Sequence, residues 1–143
     1  MVVAARPDVV AAVVARLRTF TEITTLTSTR ITARLQPSWS GMPTYAVLVR
    51  LAGGPPGKPQ INLLVSRLDL FCYGATEAQA AALWRQVDAI LCPGQERLTK
   101  FTQGTCHVGV IVRESMPTSG IEDDTRWPRT TASYLATWTG VAV

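Results

Sequence analysis

The stretch Ile61–Leu91 constrains the fold most, because it passes from a strand pattern to a helix pattern through Gly74-Ala75-Thr76 alone. Leu68, Leu70 and Cys72 alternate with Arg67, Asp69 and Phe71, the period of two expected of a half-buried strand. Thr76-Glu77-Ala78-Gln79 then matches a capping box, in which the Thr76 hydroxyl accepts the Gln79 amide and the Gln79 side chain reaches back. Ala80, Leu83, Trp84, Val87, Ile90 and Leu91 recur at spacings of three and four, which predicts one buried helical face, and Pro93-Gly94 ends it.

The rest of the chain is read around that unit. Pro7 suits a first helical position and Asp8 the positive helix end, and Val9, Val10, Val13, Val14 and Leu17 form one apolar stripe. Threonine-rich 19–29 reads as a loop or irregular strand, and Ile31–Leu35 as a short strand. Tyr45, Val47, Val49 and Leu51 alternate with Ala46, Leu48 and Arg50, so Thr44–Leu51 pairs as a hairpin with Ile61–Tyr73. Their connection, 52–59, holds Pro55, Pro56 and Pro59 and is neither helix nor central strand. The apolar positions of Ile61–Tyr73 shift from odd to even at Ser66, which predicts a bulge or bend there. Thr105–Glu114 is apolar on both faces and reads as a central strand. The segment 95–104 is polar, 117–129 is turn-rich, and a last strand runs from Thr131 to about Val141. The expected fold is α+β: a mostly antiparallel four- to five-stranded sheet flanked by two helices, with a projecting β-hairpin, in a single domain over 1–143.

Chemistry is sparse. The one histidine, His107, neighbours Cys106 in a strand, so the two side chains point to opposite faces, and Cys72 and Cys92 are not at metal-clip spacing. Neither a metal, a cofactor nor a cysteine–histidine nucleophile is expected; three widely spaced cysteines read as free thiols in a reducing compartment. The glycines of 53–57 do not lead from a strand into a helix and cradle no phosphate. The formal charge is +4, with arginines scattered singly rather than in a basic stripe. No targeting segment is visible and no run approaches the ~20 apolar residues of a membrane span, so no membrane partner is expected. Trp39 and Trp127, in loops beside proline or glycine, are candidates for contact surfaces.

The layout resembles the tail terminator proteins of long-tailed bacteriophages. The likeness rests on the helix "PDVVAAVVARL", then "RITARLQP" and the extended "PTYAVLVRLAG", and on "RLDLFCYGATEAQAAALWRQVDAIL", where a strand becomes an alanine-rich helix. It extends through "GVIVRES" to the ending "DDTRWPRTTASYLATW". The Pro-rich loop at 53–59 and the cysteine-containing passage at 92–106 depart from it.

The resemblance implies a non-enzymatic virion protein, assembled in the host cytoplasm and placed at the tail–head junction. There it forms a hexameric homo-oligomeric ring on the major tail tube protein, ends tube polymerisation and meets the head–tail connector or neck proteins. DNA passes through such a ring without specific binding. The family has no catalytic residues to carry over. Ring and partner contacts are expected at the hairpin loop, with Gly53, Pro55 and Lys58, and at Trp39, Arg126 and Trp127; Glu122, Asp123 and Asp124 are candidates for lining the channel. Two alternatives stand beside this reading: a head-closure or neck protein, and a basic nucleic-acid-binding module.

Overall fold

The computed structural model describes residues 8–33, 45–53, 64–93, 100–122 and 126–140. The elements are α1 (Val9–Arg18), α2 (Thr21–Thr27), β1 (Ile31–Thr32), β2 (Tyr45–Leu51), β3 (Leu64–Gly74), α3 (Glu77–Leu91), β4 (Phe101–Gln103), β5 (Cys106–Arg113), β6 (Thr118–Ile121) and β7 (Pro128–Gly140). The strands form one seven-stranded sheet in the order β1-β2-β3-β7-β5-β4, with β6 pairing beside β5 on the same edge of β7. Every pairing is antiparallel except β1 with β2, which is parallel.

The expectation of four to five strands and two helices is therefore wrong: the described residues form a mixed α/β fold with seven strands and three helices. The uncounted elements are short. In α2, Ile23 and Thr27 are buried one turn apart, and the Thr27 hydroxyl donates to the Ile23 carbonyl at 3.0 Å. Threonine is a mediocre helix former, so packing rather than propensity holds this turn-length helix. Strand β4 sits in the polar stretch before Cys106 and pairs only with Cys106–Val108, burying Phe101. Strand β6 lies in the turn-rich stretch and buries none of its own residues.

The bulge expected at Ser66 is absent. Pairing of β3 with β7 runs unbroken from Leu64↔Trp138 to Tyr73↔Arg129. Ser66 breaks the apolar pattern without changing face, since it is buried on the core side and its hydroxyl accepts the Trp138 indole N–H at 3.0 Å. The register shift lies instead in β5, between Val108 and Val110, at Gly109. Nor is β5 central. Its pairing with β4 ends at Val108, and Val112 is 53% exposed; the middle of the sheet belongs to β3 and β7. The β2–β3 hairpin forms, with Ala52 N–H donating to the Arg67 carbonyl and Arg67 N–H to that of Gly53. Whether its tip projects lies outside the described residues.

All three helices pack on one face of the sheet. Val13 and Leu17 of α1, Ile23 of α2 and Leu83, Val87 and Leu91 of α3 join Val47, Val49, Leu68, Leu70, Ala132, Tyr134 and Ala136 in one core. Tyr134, Ala136 and Trp138 alternate along β7 and face that core. Asp8 caps α1, accepting the Val10 and Ala11 amides at 3.0 and 3.1 Å, whereas a helix begun at Pro7 would have made it the second helical residue. Thr76 caps α3 as expected, while Gln79 reaches back to the Ala75 amide at 3.1 Å.

Candidate functional site

Among the described residues no helix covers the opposite face of the sheet, and this is the surface that distinguishes the molecule. The alternation that sends Leu68, Leu70 and Cys72 inward sends Arg67, Asp69, Phe71 and Tyr73 outward, together with Arg50 of β2 and Arg129, Ser133 and Leu135 of β7. Their polar groups pair along the face. Arg67 binds Glu114 through two hydrogen bonds of 2.7 Å, the bidentate geometry that favours arginine. Ser133 donates to Asp69 at 2.7 Å. Tyr73 donates to Glu122 at 3.2 Å, and Arg129 to the same carboxylate oxygen at 2.8 Å. Burial, then the neighbouring Glu122 carboxylate, push the Tyr73 hydroxyl up to about 12, against an opposing pull from Arg129. The guanidiniums of Arg50 and Arg129 lie 5.9 and 5.2 Å from the centre of the Phe71 ring.

Arg50, Arg67 and Arg129 are thus set among Asp69, Glu114 and Glu122, cations and carboxylates in equal number. Among the described residues of this face there is no excess of cations to draw in phosphates, unlike the basic stripe of a nucleic-acid binder. Apolar side chains interrupt it. Val65 and Leu135 are half-buried, as is Val110, while Val112 is exposed.

The exposure continues past β5. Of the four large apolar residues that stand exposed among the described ones, three fall between 112 and 121: Val112, Met116 at 75% and Ile121 at 42%; the fourth is Leu51. Met116 lies where the chain crosses from β5 to β6, and Ile121 ends β6, which among the described residues pairs with β7 alone. Val112, opposite Leu135, faces away from the helices, whereas Ile121, opposite Pro128 and seven positions away along β7, lies on the helix side. These are separate exposed apolar side chains, each of which gains by burial against another chain. No periodic signal marks these residues in the sequence, because they fall at a strand end, a crossing and a short strand.

The residues expected to make contacts are scattered across this arrangement. Gly53 is exposed with φ of 90°, at the end of the described part of the hairpin. Arg126 is exposed with φ of 63°, in the turn between β6 and β7. Trp127 follows it, half-buried and edge-on to Tyr73 with ring centres 5.6 Å apart, so it packs against its own sheet. Glu122 is half-buried and engaged by Tyr73 and Arg129. Trp39, Pro55, Lys58, Asp123 and Asp124 lie outside the described residues.

On the helix side, polar chemistry joins elements together. Tyr134, wholly buried, donates to Asp88 at 2.8 Å and accepts the Trp84 indole N–H at 2.9 Å; Arg113 completes the group by donating to Asp88 at 2.8 Å. Burial, then Asp88, hold the Tyr134 hydroxyl far above the usual phenol range. Cys72 and Cys106 are buried free thiols, and burial raises both. Among the described residues no group of three or more His, Cys, Asp or Glu is placed to hold a metal ion, and no helix is long and apolar enough to cross a membrane. The chain matches no protein-family model and no curated protein.

Proposed function

We propose that this protein is a structural assembly part, a ring-forming tail terminator that caps a phage tail tube and joins it to the head connector. The single observation that carries this is the exposure of Met116 and Ile121 at the strand β6, which among the described residues pairs with β7 alone. A cyclic assembly buries two different patches of the same chain against each other, and a surface of this kind supplies one of them. The charge-balanced face away from the helices fits a part that lets DNA pass better than one that grips it. Tyr73 and Tyr134, two of the groups with raised protonation equilibria, are engaged in pairs that hold the fold, which supports a non-catalytic role.

A terminator works by occupying the growing end of the tube, so its binding there must be favoured over addition of another tube subunit. Phage lacking the gene should give DNA-filled heads beside unattached tubes of uncontrolled length in electron micrographs of the lysate. Tails of uniform length beside leaking or empty heads would overturn the assignment in favour of a head-closure protein.

A further inference from the structure

We draw no further inference here: the strongest candidate, the Arg16 guanidinium at the end of α1, held 5.0 and 5.2 Å from the Phe20 and Phe101 ring centres with its buried Nε unpaired, is closed off from solvent at that atom and nothing in the structure shows what ligand could reach it.

Discussion

At the scale of single residues, two tyrosines hold the molecule together in different ways. Tyr134 ties α3 to the central strand β7 through Trp84 and Asp88. Tyr134→Phe keeps the ring and deletes the hydroxyl, leaving the Trp84 N–H and one Asp88 oxygen without their partner. The expected loss is about 1–3 kcal/mol, the cost of stranding partly buried polar groups. Urea unfolding measures it; an unchanged midpoint would show that the network contributes nothing. Tyr73 gives a pH signature. Its hydroxyl titrates near 10.0 when unfolded and about 12 when folded, so between these values the folded state binds more protons than the unfolded. Stability contributed by neutral Tyr73 is therefore full below about pH 10 and is lost as pH rises toward about 12. Tyr134 and Cys72 are raised too, so some alkaline loss persists without Tyr73. In Tyr73→Phe the fall in melting temperature across that window should be shallower than in the parent; equal slopes would contradict the assignment.

At the scale of elements, the turn from β3 into α3 is the most tightly specified piece of the fold. A Cβ on Gly74 would lie 2.7 Å from the Ala80 amide nitrogen and 2.8 Å from Gln79 Cβ, and backbone cannot step aside as a flexible side chain would. Gly74→Ala should cost about 1–3 kcal/mol by forcing the first turn of the helix off the strand. Thr76→Ala, which removes only the cap, should cost about 1 kcal/mol. Denaturant titrations of the two variants check the ranking, and an alanine at 74 as benign as one at 76 would sink the argument. This unit was legible in the sequence because a capping box, a helical stripe and a strand alternation all agree within one stretch. The missed elements had no such agreement. Strand β6 buries no residue of its own, β4 rests on Phe101 alone, and α2 is built mainly of threonines that favour no helix locally. Ser66 misled in the opposite direction. A polar residue facing the core looks like a change of face until its partner, the Trp138 indole 72 positions away, is known. The exposed apolar residues were illegible for a similar reason: exposure is a property of the assembled sheet, in which Val112 and Ile121 end on opposite faces.

At the scale of the whole molecule, the sheet carries its helices on one side and, among the described residues, a charge-balanced, partly apolar face on the other, while Met116 and Ile121 stand exposed before and at the end of β6. Burying such side chains against a neighbour is worth about 25 cal/mol per Å² of apolar area before the costs of association are counted. Assembly, rather than chemistry, is what this surface is suited to. The most direct test is electron microscopy of the purified protein mixed with its tail tube, set beside Met116→Asp/Ile121→Asp carrying the same two sites. Both positions are exposed, so the double variant should melt within a degree or two of the parent, as surface substitutions do. The account predicts a closed ring of identical subunits, six by the resemblance, seated on tube ends with the parent protein and missing with the folded double variant. A stable dimer both alone and with the tube, or rings formed equally well by the variant, would contradict it.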